Sequence, residues 1–171
     1  MKTRSHFGHE SPNTHSQSIE SNVGHMSEAT AETLLAEKGH EVVSVRPADS
    51  IRHVVEVMNQ HGIGSVVVKD QNGHLVGILT ERDLVNGFAV HQEDTPDNTP
   101  ASDLMTKDVV TATPQTRILD MLKQMSDHRF RHMPVLDGDH IVGLISIGDV
   151  VKFRLRELEY ESLKLKQMIV G

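Results

Sequence analysis

Val76-Gly77-Ile78-Leu79-Thr80-Glu81-Arg82-Asp83 and Val142-Gly143-Leu144-Ile145-Ser146-Ile147-Gly148-Asp149 are two versions of one pattern: a glycine, two aliphatic residues, a hydroxyl, and an acid three residues after the hydroxyl. The correspondence continues upstream. At an offset of 67, Val42-Val43-Ser44-Val45-Arg46-Pro47 lies on Val109-Val110-Thr111-Ala112-Thr113-Pro114, and Ile51, Met58, His61, Val68 and Asp70 fall on Ile118, Met125, His128, Val135 and Asp137. The second copy has a turn one residue shorter, so the two glycine motifs meet at an offset of 66. Apolar periodicity that returns together with Pro, Gly and Asp identifies a tandem duplication.

Within the first copy, Ala31–Lys38 reads as a helix stopped by Gly39, and Val42–Val45 as a short strand ended by Pro47. Ile51, Val54, Val55 and Met58 recur at helical spacing behind Ser50, a suitable N-cap. Ser65–Lys69 and Leu75–Leu79 flank Asp70-Gln71-Asn72-Gly73, which is a hairpin signal, and Thr80-Glu81-Arg82-Asp83 leads into a helix reaching Phe88. The order helix–strand–helix–strand–strand–helix makes the fold class α+β. The expected boundaries are a first repeat over 27–90, a Pro-containing acidic linker over 91–101, a second repeat over 102–153 and a C-terminal helix extension over 154–171. In that last segment Val151, Leu155, Leu158, Ser162, Leu165 and Ile169 step by four and three, a heptad seam. Residues 1–26 are rich in Ser, His, Asn and Gly and read as a disordered tail or an appended segment.

Composition narrows the function classes. Only 3% of the 171 residues are aromatic, so the core must be aliphatic, with Met58, Met105, Met121, Met125 and Met133 filling gaps. No cysteine is present, which excludes disulfides, thiolate zinc sites and cysteine nucleophiles. With 24 acidic against 17 basic side chains and a formal charge of -7, broad nucleic-acid binding is not expected. No apolar run approaches the ~20 residues of a membrane span, and the first 26 residues hold no hydrophobic signal region. The expectation is a cytoplasmic protein with neither membrane nor nucleic-acid partner.

Gly77–Asp83 and Gly143–Asp149, with His132-Met133-Pro134-Val135-Leu136-Asp137 and the Asp103-Leu104-Met105-Thr106 lead-in, resemble the signature of the CBS-domain family, here as a tandem pair or Bateman module over about residues 30–155. The resemblance implies two CBS repeats packed sheet to sheet about a pseudo-twofold axis, followed here by the long C-terminal helix. It also implies two clefts that take adenosine-containing ligands, and a homodimer. The stand-alone bacterial type of this module is the nearest description.

The residue types at the motifs suit such a ligand. Asp83 or Asp149 can accept hydrogen bonds from both hydroxyls of a ribose diol, and charged acceptors make the stronger bonds. Thr80 or Ser146 offers a hydroxyl to a phosphate oxygen, and the helix that follows adds free N–H groups and positive potential. Singly, Asp83 and Asp149 also sit where an N-cap belongs and Thr80 or Ser146 could simply end a turn; the duplication together with the family pattern favours the ligand. Arg82 stands inside the first motif where Gly148 stands inside the second. Before the hairpins the copies differ as well, Gly64-Ser65 against Arg131-His132. The resemblance places that position against the cleft, which makes Arg131 and His132 candidates for planar, charge-assisted contact with phosphate. Val43-Ser44 and Val110-Thr111 would offer backbone groups and apolar surface to adenine, and the two clefts should differ in affinity.

No catalytic residue, catalytic cofactor or metal site is expected. His132, Ser146 and Asp149 lack the glycine pattern of a nucleophile elbow. His128 and His132 are four apart, but Pro134 and the strand pattern around it argue against one continuous helix presenting both, and His6 and His9 are two ligands in a loose tail. The expected function is an adenine-nucleotide sensor, with AMP first and ADP, ATP, NAD(H) or S-adenosyl compounds also admissible, that passes occupancy to an unidentified protein partner. The rival expectation is a ligand-independent dimerisation scaffold docking on an enzyme or transporter.

Overall fold

The computed structural model describes residues 29–90 and 95–170. The expected tail over 1–26, with His6 and His9, and the His91–Asp94 part of the linker lie outside the described residues. The first copy comprises α1 (Ala31–Lys38), β1 (Ser44–Val45), α2 (Ile51–His61), β2 (Ser65–Lys69), β3 (Leu75–Thr80) and α3 (Glu81–Val90). The second comprises α4 (Ala101–Leu104), α5 (Ile118–His128), β4 (His132–Asp137), β5 (His140–Ser146) and α6 (Ile147–Val170). β2 pairs antiparallel with β3 and parallel with β1, while β4 and β5 form the matching antiparallel hairpin. The counterpart of β1, expected at Val109–Ala112, shrinks to one parallel bridge from Ala112 to Val135.

Local chemistry accounts for the elements. Asp70 Oδ1 accepts from the amides of Asn72 (2.9 Å) and His74 (2.8 Å), and Gly73 supplies the positive φ of the first hairpin turn. Ser50 caps α2 by accepting from the His53 amide at 3.2 Å. α2 buries Ile51, Val54 and Met58, and α5 buries Ile118, Met121 and Met125 at the same spacing. Four of the five methionines expected in the core are buried; Met105 is half-buried beside it.

The leading helices are exchanged between the copies. Ala31 N and Glu32 N donate to Thr116 O and Pro114 O of the second copy, whereas Ala101 N and Ser102 N donate to Asp49 O and Pro47 O of the first. α1 accordingly places Ala31, Leu34 and Leu35 in one core with Ile118, Met121, Met133 and Ile145, while Ala101 joins Ile51, Val54, Val66 and Leu79 in the other. The motif glycines admit this. A Cβ on Gly143 would stand 2.4 Å from Leu35, and one on Gly77 would stand 2.6 Å from Met105. The two copies therefore fold as one interlocked body, and the walls between them are close enough to frame a site.

Candidate functional site

Between the copies lies a cleft of about 710 Å³, into which both motif turns face. Its lining includes Gly64, Thr80, Arg82, Asp83, Val110, Arg131, His132 and Ser146, eight of the thirteen residues expected to bind ligand. Val43, Ser44, Ser65, Thr111 and Asp149 do not line it. Val43 packs beside the first core and Ser65 is buried within β2, paired with Thr80. Ser44 and Thr111 are exposed, Ser44 being paired with Val67 in the β1–β2 ladder. Asp149 is taken by another partner, described below.

Each motif is a closed capping box. Thr80 N (2.8 Å) and Thr80 Oγ1 (2.6 Å) donate to Asp83 Oδ2, and Asp83 N donates back to Thr80 Oγ1 at 3.3 Å. Ser146 and Asp149 repeat this at 2.8, 2.8 and 3.2 Å. The capping residues are thus Thr80 and Ser146, with the acids at the third helical position. Each hydroxyl proton lies on its own carboxylate, so a phosphate at the turn would meet helix N–H groups and arginines before it met these hydroxyls. Among the described residues neither Asp83 Oδ1 nor Asp149 Oδ1 accepts a hydrogen bond, and of the two acids only Asp83 lines the cleft.

The second carboxylate is occupied. Lys38, the last residue of α1, pairs with Asp149 Oδ2 and also donates to Leu144 O at 2.6 Å. Burial works against ionisation of Asp149, but the hydrogen bonds from Lys38 and from the Ser146 amide and hydroxyl outweigh it and hold the carboxyl below its ordinary range. The difference from the first motif has a visible origin. Three residues after Leu35, which covers Gly143, comes Lys38; three residues after Met105, which covers Gly77, comes Asp108. Asp108 lines the cleft but brings no cation to Asp83.

Positive charge in the cleft comes from Arg82, Arg129 and Arg131. Arg82 Nη1 donates to Arg129 O at 3.3 Å, spanning the two copies. Arg129 ends α5 at φ 58, in the left-handed region that Gly62 occupies at the end of α2. It is the one non-glycine residue with positive φ among the described residues. Such a conformation costs about 1–2 kcal/mol for a residue with a side chain, and here it sets a guanidinium beside the cleft.

His132 is half-buried, and burial first, then Lys38 and Arg131, pull its pKa below 6.5 against the opposing pull of Asp149 and Glu81. The shift favours the neutral ring, which can donate or accept one hydrogen bond. Because the unfolded chain binds this proton more readily, the contribution of His132 to stability is complete above pH ~6.5 and is lost as pH falls through the folded-state value. The denaturant midpoint should therefore drop between pH 7 and 5, and the drop should be shallower in His132→Gln.

Glu81, Asp108, Val109 and Phe130 line the cleft without having been singled out in the sequence. Glu81 N donates to Gly64 O (3.0 Å) and Ile147 N to Arg131 O (2.8 Å), so each helix start is stitched to the strand entry of its own copy. Among the described residues no group of His and acidic side chains is placed to hold a metal ion, and no helix is long and apolar enough to cross a membrane.

Comparison with known proteins agrees with this geometry. The CBS-domain family profile matches residues 39–89 and 101–156. The mitochondrial CBS domain-containing protein CBSX3 of Arabidopsis thaliana is 35% identical over 127 residues, a match spanning 72% of this chain and 61% of the plant protein. The CBS-domain protein ATU1752 of Agrobacterium tumefaciens superposes with a TM-score of 0.70 at 40% identity, covering 74% of this chain and 94% of that one. The CBS domain pair of protein MJ0100, solved with 5-methylthioadenosine and S-adenosyl-L-methionine, shares the fold at a TM-score of 0.67 and 21% identity, covering 75% of this chain and 98% of that one. The chain is a tandem pair of CBS domains and belongs to the CBS-domain family.

Proposed function

We propose that this CBS pair is a regulatory module that binds one adenosine-containing ligand per chain, AMP foremost, in the cleft between the copies. The observation that carries the reading is the pairing, across about 710 Å³, of a carboxylate with an unused oxygen (Asp83) and three guanidinium groups (Arg82, Arg129, Arg131). A ribose diol donates two hydrogen bonds and a monophosphate carries two negative charges; the lining of the cleft offers the complement of each. Val109, Val110 and Ile78 supply apolar wall for the base. The binding of adenosyl compounds by the MJ0100 pair is consistent with the same ligand class. NAD(H), ADP, ATP and S-adenosyl compounds share the diol, so the phosphate end discriminates among them. Occupancy would draw the copies together across the Arg82–Arg129 contact and alter the surface offered to a protein partner, and a homodimer would present that surface twice.

Isothermal titration of the whole chain with AMP, ADP, ATP, NAD(H) and S-adenosylmethionine tests this reading. Saturable heat with one site per chain for at least one of them is expected. Flat titrations and unchanged melting temperatures for the entire panel would overturn it and leave a ligand-independent scaffold.

The strained Arg129 provides a second check. Arg129→Gly relieves the left-handed penalty, offset in part by the flexibility of glycine in the unfolded chain, so stability should rise by about 0.5–1 kcal/mol. The same change removes a guanidinium from the phosphate end, so AMP should bind about tenfold more weakly. A variant both more stable and weaker in binding is the expected signature, read by chemical denaturation and calorimetry. A variant that gains stability and keeps full affinity would remove Arg129 from the site.

A further inference from the structure

α6 extends well past the body of the protein. Its 24 residues span about 36 Å, yet Phe153 is its last buried side chain, and beyond Glu157 every described side chain except Glu161 is exposed. A free helical segment of about 12–15 residues is marginal in water, so an extension of this length is expected to be held by a partner surface. The seam Val151, Leu155, Leu158, Leu165 and Ile169, interrupted by Ser162, lies outside the core, with exposures rising from 44% at Val151 to 83% at Ile169.

We infer that α6 pairs with α6 of a second copy in a parallel coiled coil along this seam. Steps of four and three give Leu155, Ser162 and Ile169 one core position of the heptad and Val151, Leu158 and Leu165 the other. The flanking charges select the orientation. In a parallel pair, Arg154 faces Glu159 of the partner subunit and Glu161 faces Lys166 of the partner subunit, each an attraction that occurs twice by symmetry. In an antiparallel pair, Glu159 would meet Glu159 of the partner subunit, Glu161 would meet Glu161 of the partner subunit, and Lys152 would meet Lys166 of the partner subunit: all like charges. Arg154 already pairs with Glu157 on its own helix at 2.5 Å, which orders the guanidinium beside the seam without using all its donors. The inference is independent of the nucleotide reading, since none of these residues lines the cleft.

The chain has no cysteine, so single cysteines report the arrangement directly. Mild oxidation of the full-length Ile169→Cys variant should give a covalent dimer, because a parallel pair sets the two copies of position 169 opposite each other. Gln167→Cys, on the outer face, should crosslink far less. An antiparallel pair sets position 169 beside Val151 of the partner subunit, and dimers made through the body alone give no preference for 169 over 167. Sedimentation of the unmodified protein should give twice the monomer mass. Glu161→Lys should weaken the dimer about tenfold, and Glu161→Lys with Lys166→Glu should restore it. A monomer at micromolar concentration, equal crosslinking at 169 and 167, or a charge exchange without rescue would each overturn the inference.

Discussion

Asp83→Ala is expected to weaken AMP binding about a hundredfold, the loss of roughly 3 kcal/mol that two hydrogen bonds to a charged acceptor represent. The expectation follows from the place of that carboxylate, which lines the cleft and carries no cation, whereas Asp149 lies off the cleft under Lys38. Oδ2 holds the Thr80 amide and hydroxyl, while Oδ1 accepts nothing among the described residues. The substitution also opens the α3 capping box, which costs about 1 kcal/mol of stability, and a loss of fold must be separated from a loss of ligand contact. Asp149→Ala is the matched control, because it opens the same box at α6 and additionally strands Lys38. It should cost at least as much stability and leave AMP affinity within a factor of about two. Calorimetry beside chemical denaturation of both variants reads the two quantities separately. Equal losses of affinity in the two variants would mean that the caps, and not a ribose contact, explain the effect of Asp83.

The parts of this site that were legible in the sequence are those whose partners are near neighbours. Thr80 with Asp83 and Ser146 with Asp149 are bonds across three residues, and the Asp70 turn is closed within five, so spacing alone announces them. The hairpins and the buried faces of α2 and α5 follow from periodicity for the same reason. Two features were not legible because their causes lie far along the chain. The exchange of α1 onto the second copy depends on Leu35 meeting the bare backbone of Gly143. Lys38 reaches a carboxylate 111 residues away, and in sequence it is an ordinary basic residue at a helix end. Of the residues expected to offer surface to adenine, Val110 lines the cleft and Val43, Ser44 and Thr111 do not. Arg129 was not singled out in the sequence, since only the folded chain reveals a left-handed residue carrying a side chain where α2 ends on Gly62.

Lys38→Ala should convert one nucleotide site per chain into two. The motif at Ser146–Asp149 has the same cap geometry as the motif at Thr80–Asp83, but Asp149 lies off the cleft, has Gly148 in place of Arg82 beside it and carries the ammonium group of Lys38. That cation is supplied by α1 of the other copy, so it acts as an internal competitor for any diol. Its effective concentration is fixed by the Leu35 and Leu34 anchors in the core. Removing it takes the ammonium group off Oδ2, which keeps the Ser146 cap, and leaves the carboxylate without a neutralising cation, at a cost of about 0.5–1 kcal/mol, small because the pair is only partly buried. Burial remains the main cause of the lowered His132 pKa, but the repulsion from Lys38 is relieved, so the pH dependence of stability between 7 and 5 should become somewhat shallower. Titration of Lys38→Ala with AMP should show a second, weaker binding event, and Lys38→Ala with Asp149→Ala should return the stoichiometry to one. Lys38→Arg, which keeps the cation, should behave as the unmodified protein. If Lys38→Ala binds a single equivalent, the closure of the second motif lies in the walls around it rather than in the charge that covers it.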